Sequence, residues 1–514
     1  MEFLEEEFSD DALSIQGRVK LIVDLSSFNK REKMIYNPIV LSILISFGLF
    51  FGYFIYIYCA LCWKLRKFRG PPAFPLIGNC YTSQVLTFFK YLGKLRTQYG
   101  RIYTFFNFTK AFLVVCDPVV VRRVLSDSKT FPKGTDYTEK FAYSFGEGLV
   151  TSNGEKHKKD RSIFGKFFIR SSIAKFAQKV NEISDQVISL YIPEIDKPTV
   201  FNIEFLFARL ALRSFMNFAL SEDLSDQPKE EEKFCHLVSK GSNAVGRIII
   251  FNLPMWNFLP DMKLLQKCNR RFAELFNYFL NIRKQKLAKG EMTEVDDCLS
   301  AMIKENLSEK EMVEHFATLI SAGHDTTAFF LSYLVYLLAQ NPQVQEKLYS
   351  HIMEKVGHKS DISVDDFAEM KYLQCVMMEV LRFYAIIPAV SRIATEDVHI
   401  KEANITIPEG TTVFIPMIII NRDPEIWDNP GEFRPSRFEE KGTDFTSAKD
   451  GFFPFGYGTR TCIGNTFAQV ESAIVVCKLM KKYIFEPDPN FRIAIRAGIS
   501  LTTSNGINVV LKPR

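Results

Sequence analysis

The chain has 514 residues, of which 47% are hydrophobic and 24% charged, so it can bury a large core and is not disordered. Its formal net charge is only +5, and no run of lysine and arginine is long enough to indicate nucleic-acid binding. The ten cysteines show no paired zinc spacing, and the seven histidines form no H-E-x-x-H motif. Composition therefore argues against nucleic acid and zinc as ligands and favours a reducing compartment.

A long apolar segment near the N-terminus predicts a membrane anchor. Residues 34–63 carry no charged side chain, and a bilayer span needs about 20 apolar residues. The segment is too long for the apolar part of a signal peptide, and no small-residue cleavage site follows it. We predict a retained transmembrane helix over residues 34–63, preceded by a leader of residues 1–33 that is either a disordered tail or a surface amphipathic segment.

A basic, proline-rich hinge follows at residues 64–80. Four basic residues lie within residues 64–69 and three prolines within residues 71–75. Because proline lacks a backbone donor and clashes with the preceding turn, the anchor helix cannot continue through the hinge. Basic residues also precede the anchor, so charge gives only a weak orientation signal, and we expect a cytosolic body.

Residues 81–514 show mainly helical patterns, and no long linker or repeat interrupts them. Leu113–Cys116 is typical of a strand, and an amphipathic helix is predicted over residues 365–384. Apolar and polar side chains alternate over residues 397–420, on both sides of a Glu-Gly turn at 409–410. This pattern predicts a small β-hairpin. We therefore predict one large domain that is mainly α with a small β subdomain.

The strongest helical pattern covers residues 308–340. Ser308 and Glu311 have the spacing of a capping box, and an Asn-Pro pair at 341–342 ends the helix. Residues 316–338 are apolar nearly all round, so this helix should run through the middle of the domain.

The segment Phe455–Gly464 reads FGYGTRTCIG and contains the complete pattern F-x-x-G-x-R-x-C-x-G. Its glycines, Gly458 and Gly464, permit tight turns around the sulfur of Cys462. The cation of Arg460 favours thiolate over thiol, and so does the N-terminal end of the helix predicted from residue 465 onward. A buried structural cysteine in a glycine loop is the alternative, but so many matched positions argue against coincidence.

This loop resembles the haem-binding loop of the cytochrome P-450 family, and the resemblance covers roughly residues 69–514. It implies a cytochrome P-450 fold behind the transmembrane helix, with haem b (iron protoporphyrin IX) as cofactor. It also implies that Cys462 is the axial thiolate ligand of the iron, which favours O–O bond cleavage. Phe455, Arg460 and Gly464 are then cofactor-binding residues of the same loop.

Two further motifs stand in the family's order. Glu379 and Arg382 match its E-x-x-R, a spacing that places both side chains on one helical face. Phe433–Phe438 resembles its F-x-P-E-R-F, with Ser436 in place of glutamate. The resemblance implies that Arg437 joins Glu379 and Arg382 in a buried ion cluster with a structural role.

The central helix contains AGHDTT at residues 322–327, which matches the family's oxygen-activation motif. Gly323 leaves room for a ligand beside the backbone. Asp325 and Thr326 could relay protons as general acids, although such polar residues can also bond back to the preceding turn. Ala322 replaces the glutamate with which fatty-acid ω-hydroxylases link their haem covalently, so no such link is expected.

Propionate-binding residues follow from the resemblance as well. Arg392 is the first candidate and Arg161 the second. His157 stands where the family usually has tryptophan, and histidine can still donate a hydrogen bond to a carboxylate.

Variable segments of the family's substrate cavity supply mainly apolar side chains here, about half of which we expect to be ordinary core residues. They are Phe131, Phe141, Phe145, Phe205, Phe207, Phe316, Leu319, Ile386, Ile387, Val390 and Ile499.

The resemblance implies a haem-thiolate monooxygenase that inserts one oxygen atom from O2 into a lipophilic substrate, such as a fatty acid, sterol, terpenoid or xenobiotic. A haem-thiolate isomerase or dehydratase acting on peroxides is the alternative, and a non-catalytic membrane haem protein is another. The intact Asp325–Thr326 pair disfavours both.

The chain has no G-x-G-x-x-G nucleotide unit, so its electrons must come from another protein. The resemblance suggests NADPH–cytochrome P-450 reductase, with cytochrome b5 as a further donor, at basic residues on the cysteine side of the haem. It also suggests a single-pass protein of the endoplasmic reticulum membrane with a cytosolic catalytic domain.

Overall fold

The computed structural model describes residues 38–79, 88–222, 224–251, 260–290, 297–440 and 451–514. The predicted leader, residues 1–33, lies outside the described residues. The chain divides into two units, one ending at Ile57 and the other running from Tyr58 to Arg514.

The first helix, α1 (Pro38–Lys64), contains the apolar segment near the N-terminus. Its segment Leu41–Lys64 has 24 residues and is long and apolar enough to span a membrane. None of the residues in its most apolar part is buried inside the protein. At a rise of 1.5 Å per residue, 24 residues extend about 36 Å, which exceeds the roughly 30 Å of bilayer hydrocarbon. The apolar surface of this helix therefore suits lipid.

Most of the second unit is helical, and the predicted fold class is confirmed. Its helices are α2 (Phe88–Tyr99), α3 (Pro118–Ser126), α4 (Ala142–Phe145), α5 (Gly154–Gly165), α6 (Arg170–Tyr191), α7 (Ile203–Leu220), α8 (Pro228–Phe251), α9 (Asp261–Ala288), α10 (Cys298–Lys304), α11 (Glu309–Gln340), α12 (Pro342–Val356), α13 (Val364–Glu369), α14 (Lys371–Phe383), α15 (Met417–Ile420), α16 (Ser436–Glu439) and α17 (Asn465–Lys482). A π-helical segment, Asp136–Phe141, leads into α4.

The strands form small sheets beside the helices. They are β1 (Ile102–Asn107), β2 (Lys110–Val115), β3 (Thr199–Asn202), β4 (Val390–Ile393), β5 (Val398–Ile400), β6 (Ile405–Ile407), β7 (Thr412–Ile415), β8 (Tyr483–Pro487), β9 (Ile495–Ala497), β10 (Leu501–Thr503) and β11 (Asn508–Pro513). The largest sheet has the order β1-β2-β7-β4, in which β2 and β7 are parallel and the other pairs antiparallel. The others have the orders β3-β11-β8, β9-β10 and β5-β6.

The central helix α11 forms where the sequence predicted it. Ser308 caps its N-terminus, and the reciprocal bonds of the capping box with Glu311 are both present. Asn341 ends the helix, and Pro342 begins α12. Nearly every residue from Phe316 to the end of α11 is buried, and α7 is its most extensive packing partner. An all-round apolar helix thus lies in the core, as predicted.

Two local predictions were wrong. The helix predicted over residues 365–384 is divided into α13 and α14, because Met370 leaves the helical conformation with ψ near 65°. The turn at 409–410 does not close a hairpin: β6 before it pairs with β5, whereas β7 after it joins β2 and β4. The hairpin is instead formed by β5 and β6, with its turn at Lys401–Ala403. A strand pairs within the sheet that buries its side chains, whichever turn is next to it in sequence.

Helix α17 contains a buried acid that the sequence did not mark. Glu471 is fully buried between α17 and α7 side chains, with the Ser214 hydroxyl as a polar neighbour. Burial raises the pKa of Glu471 to about 8, and the Ser214 hydroxyl offsets only part of that rise.

The Glu471→Gln variant should therefore change how stability depends on pH. A carboxyl whose pKa is raised in the folded state stabilises most below its unfolded pKa of about 4.3, and the advantage is lost as pH rises toward 8. We expect the thermal midpoint of Glu471→Gln, relative to the unsubstituted protein, to rise between pH 5.5 and pH 8.5. Circular dichroism of the haem-loaded protein measures it, with the exposed Glu194→Gln as control. A constant difference across this range would contradict the buried acid.

Candidate active site

The loop around Cys462 is held by its own backbone. The Cys462 N–H donates to the Phe455 carbonyl at 2.8 Å, and the Thr461 N–H donates to the Gly458 carbonyl at 3.1 Å. Gly458 has a φ of +71°, and a Cβ there would lie 2.8 Å from the Leu125 carbonyl oxygen. Glycine is therefore required at this turn by both conformation and space.

The Cys462 side chain is exposed, although it lies deep within the protein rather than at its periphery. Such a side chain faces an internal space. Burial raises the pKa of the Cys462 thiol, while the Gly464 N–H and the Arg161 guanidinium act to lower it. Helix α17 begins three residues later at Asn465, so its N-terminal end also favours negative charge near the sulfur.

Positive charges from four separate segments surround this loop. Lys133 precedes the π-helical segment, Arg161 lies on α5, Arg392 lies on β4, and Arg460 lies within the loop. Burial lowers the pKa of Arg460 to about 10, and repulsion from Arg392 and Arg161 adds to the effect. Burial and the same kind of repulsion lower the pKa of Lys133 well below its usual value.

His157 belongs to the same cluster. It is buried on α5, and burial lowers its pKa to about 3, followed by repulsion from Arg460, Arg161 and Lys133. The structure thus brings three predicted site residues, Arg161, Arg392 and His157, close to the loop that contains Cys462 and Arg460. It also adds Lys133 to this group. Sequence reasoning missed Lys133 because a lysine in a loop carries no motif.

No described carboxylate forms an ion pair with Lys133, Arg161, Arg392 or Arg460. Arg161 donates to the Thr461 carbonyl at 2.9 Å, and Arg460 donates to Asn153 Oδ1 at 3.0 Å. A second guanidinium nitrogen of Arg460, Nη1, is buried and has no hydrogen-bond partner in the part of the chain that the structure describes. Buried charge without a counter-charge is costly, so the cluster fits a group that brings carboxylates of its own, as the two propionates of haem do.

Ala322, Gly323 and Thr326 interrupt the buried surface over the middle of α11. Ala322 is exposed, and the Thr326 hydroxyl donates to the Ala322 carbonyl at 2.5 Å. Both residues line a cavity of about 290 Å3. The sequence suggested that Gly323 leaves room for a ligand, but its small size serves helix packing instead. A Cβ there would lie 2.1 Å from the ring of Phe215 on α7.

Asp325 points to a different place. Its Oδ1 accepts from the Ser239 hydroxyl of α8 at 3.0 Å and lies 2.8 Å from Nδ1 of His324. Burial lowers the pKa of His324, but Asp325 and Cys235 outweigh this and raise it to about 10. Asp325 is buried and absent from the cavity wall, and its Oδ2 has no partner among the described residues. Any proton from Asp325 must therefore reach Thr326 by an intermediate group.

Glu379, Arg382 and Arg437 form one buried ion cluster. Arg382 donates to both Glu379 oxygens, at 2.7 and 2.8 Å, and Arg437 Nε donates to Oε1 at 3.0 Å. The Arg434 backbone N–H donates to the same oxygen at 2.8 Å. The Nη1 of Arg382 donates to the carbonyls of residues 421 and 430, and Nη2, which also bonds Glu379, donates to the carbonyl of residue 432. One acid thus holds the segment after α15 against α14.

The cavity beside Thr326 is mainly apolar. Aromatic side chains of α2, β1, β2 and β7 line one part of it: Phe88, Phe89, Phe105, Phe112 and Phe414. Of the lining residues predicted from sequence, five are in place: Phe141, Phe145, Ile387, Val390 and Ile499. Others, such as Phe131, Phe207 and Phe316, are core residues. The aromatic wall was missed because its members lie outside the segments considered.

The family model for cytochrome P450 matches residues 68–506. The chain belongs to the cytochrome P450 family. It is 26% identical to cytochrome P450 6B7 of Helicoverpa armigera over 94% of this chain and 99% of that protein. It is 26% identical to cytochrome P450 3A41 of Mus musculus over 84% of this chain and 88% of that protein. Putative cytochrome P450 CYP13A3 of Caenorhabditis elegans is also 26% identical, over 92% and 99%.

Membership confirms the predicted family and activity class. The protein is a cytochrome P450 monooxygenase, an oxidoreductase of the haem-thiolate type, and haem is its cofactor. Its apolar N-terminal helix fits a membrane-anchored member.

The buried ion cluster predicts a large effect for Glu379→Gln. Glutamine keeps the shape of the side chain but leaves Arg382 and Arg437 without their buried counter-charge. We expect the free energy of unfolding to fall by about 3–5 kcal/mol. Urea titration followed by circular dichroism measures the loss. The control is Glu439→Gln, a more exposed acid that pairs with Lys347 and should change stability by less than about 1 kcal/mol. Equal losses in the two variants would contradict a specific role of the cluster.

Proposed function

We propose that Cys462 would hold haem b through its thiolate sulfur in a monooxygenase for lipophilic substrates. The observation that carries the proposal is the exposed Cys462 sulfur in a backbone-bonded loop, near partly or fully buried cations that have no carboxylate partner among the described residues. The haem supplies the iron at which O2 is activated when the cofactor is bound. The protein supplies the sulfur, the anchoring charges and the proton path.

The cation cluster anchors the cofactor. Arg161, Arg392 and Arg460 bind the propionates, and Lys133 is a further partner. Guanidinium groups hold carboxylates through paired hydrogen bonds, which fixes orientation as well as affinity. His157 lies among these cations and donates to the same carboxylates as a neutral imidazole. Phe455 and Gly464 bind the cofactor through the turn geometry that holds Cys462 in place.

Thr326 delivers protons at the reacting end of the cavity. Its hydroxyl bonds the Ala322 carbonyl and lines the cavity, so it can donate toward a ligand and regain a proton from behind. Asp325 is the acid of this pair. Because its carboxylate is turned toward Ser239 and His324, it acts through that buried hydrogen-bond group or through a water molecule.

Electrons come from NADPH–cytochrome P-450 reductase, with cytochrome b5 as a further donor. The apolar helix α1 anchors the protein in the endoplasmic reticulum membrane and leaves the catalytic domain in the cytosol. The apolar, aromatic cavity supports fatty acids, sterols, terpenoids or xenobiotics as substrates.

Replacing the ligand tests the foundation of the proposal. The reduced full-length protein with carbon monoxide should show a strongly red-shifted Soret band, because a thiolate donates charge to the iron. The Cys462→Ser variant should lose this band. The Cys59→Ser variant removes another exposed thiol, in α1, and should keep it. A red-shifted band that survives Cys462→Ser would assign the ligand elsewhere.

The Thr326→Ala variant tests proton delivery. With reductase and NADPH, we expect hydrogen peroxide released per NADPH to rise at least about threefold, because a missing proton donor lets reduced oxygen escape. Thr326→Ser keeps the hydroxyl and should restore coupling. The matched control is Thr327→Val, since Thr327 is buried outside the cavity wall. Unchanged peroxide yield in Thr326→Ala would remove this residue from the proton path.

A further inference from the structure

The cavity beside Thr326 has walls of different chemistry. Its aromatic wall is a connected set of rings, with Phe88 5.7 Å from Phe105 and 6.1 Å from Phe414 between ring centroids. This wall suits the apolar skeleton of a ligand. Another part of the lining comes from α8, α11 and the turn 498–500, and it carries hydroxyl groups.

The ionised groups of the cavity already have partners. Asp136 forms an ion pair with Lys110 and accepts from the Ser391 hydroxyl at 2.9 Å. Lys133 donates to the Val150 carbonyl at 2.6 Å and lies 4.1 Å from the centroid of the Tyr137 ring. We have assigned Lys133 to the propionates. Among the described lining residues, no further charge is thus left to hold the ionised headgroup of a ligand.

Three serine hydroxyls of the cavity, unlike its ionised groups, have no hydrogen-bond partner among the described residues. Ser242, Ser321 and Ser500 are 7%, 9% and 3% exposed, and all three residues line the cavity. Their side chains are mostly buried, yet none of the three oxygens is among the fully buried unpaired atoms, so each hydroxyl is accessible to a group that enters the cavity.

Two of these hydroxyls lie near one contact between helices. The bond from Ser239 to Asp325 joins α8 to α11. Ser242 lies one turn after Ser239, and Ser321 lies one turn before Asp325, so both sit next to this junction.

The third hydroxyl is brought to the same wall by a close backbone contact. A Cβ on Gly246 of α8 would lie 2.6 Å from the Cα of Gly498, so α8 packs directly on the turn that contains Ser500. The three hydroxyls therefore belong to adjoining elements that line one cavity.

We propose that Ser242, Ser321 and Ser500 form a subsite for a neutral hydroxyl or carbonyl group of a lipophilic substrate. This inference rests on the proposed function and narrows its substrate class. A serine hydroxyl can donate to a hydroxyl or carbonyl oxygen and can accept from a hydroxyl. A carboxylate would lose its water shell here without gaining a counter-charge, so fatty acids bind less well than the matching alcohols. Five residues separate Ser321 from Thr326, about 7.5 Å along α11, so the oxidised carbon is remote from the anchored group.

The test uses the full-length haem-loaded protein and two matched sets of ligands. One set is adamantane, 1-adamantanol and adamantane-1-carboxylate, and the other is tetradecane, 1-tetradecanol and tetradecanoate. Calorimetry and the ligand-induced shift of the Soret band both give dissociation constants. In at least one set we expect the alcohol to bind about tenfold more tightly than the carboxylate, and more tightly than the hydrocarbon.

The serine variants identify the subsite. Ser242→Ala, Ser321→Ala and Ser500→Ala should each weaken alcohol binding roughly three- to tenfold, as the loss of one hydrogen bond does, and leave hydrocarbon binding unchanged. The control is Ser332→Ala, on the same helix as Ser321, whose hydroxyl is satisfied by the Ala328 carbonyl at 2.7 Å.

Several results would overturn the subsite. They are carboxylate binding as tight as alcohol binding, alcohol affinity that none of the three variants changes, and no binding of any ligand by calorimetry. The carbon monoxide spectrum of the same preparation separates this failure from failure of the proposed function. Calorimetry reads the subsite even where the red-shifted band is missing.

Discussion

Positive charge that has no carboxylate partner among the described residues is the constraint on which the active centre depends. Lys133, Arg161, Arg392 and Arg460 come from parts of the chain that lie far apart. Burial disfavours the charged form of each, and repulsion from neighbouring arginines adds to this at Lys133 and Arg460. Leaving such charges uncompensated costs several kcal/mol. An anionic cofactor that binds among them supplies the missing counter-charge. In the proposed binding mode, cofactor binding and folding are linked, because the same carboxylates would stabilise the packing of α5, β4 and the Cys462 loop.

A second group of buried charges shows the opposite arrangement. Glu379, Arg382 and Arg437 satisfy one another within the protein, as do Arg213 and Glu231 on α7 and α8. These clusters complete themselves without a ligand and hold elements together. The contrast between complete and incomplete clusters separates structural charge from charge that is available to a cofactor.

Helix α11 connects these features to the substrate cavity. Its apolar surface is buried against α7, yet Ala322 and Thr326 open toward the cavity, while Asp325 on the next face turns toward α8. One helix therefore separates an acid in a buried hydrogen-bond group from a hydroxyl that lines the cavity. The separation follows from helical geometry, since neighbouring residues point about 100° apart. It gives the acid and the hydroxyl different surroundings although they are adjacent in sequence.

Local sequence patterns were sufficient to predict the family, the mainly helical fold, the apolar N-terminal helix and the candidate site residues, including Cys462 and Thr326. These depend on local patterns: an uncharged run, a capping box, and closely spaced motif residues whose meaning does not require distant contacts. Three features became evident only from the packing of distant segments: Lys133 joins the cation cluster, Gly323 makes room for Phe215, and β7 pairs with β2 rather than with β6. Such outcomes depend on which distant segments pack together, and that choice is made by burial of whole surfaces rather than by any short pattern of residues.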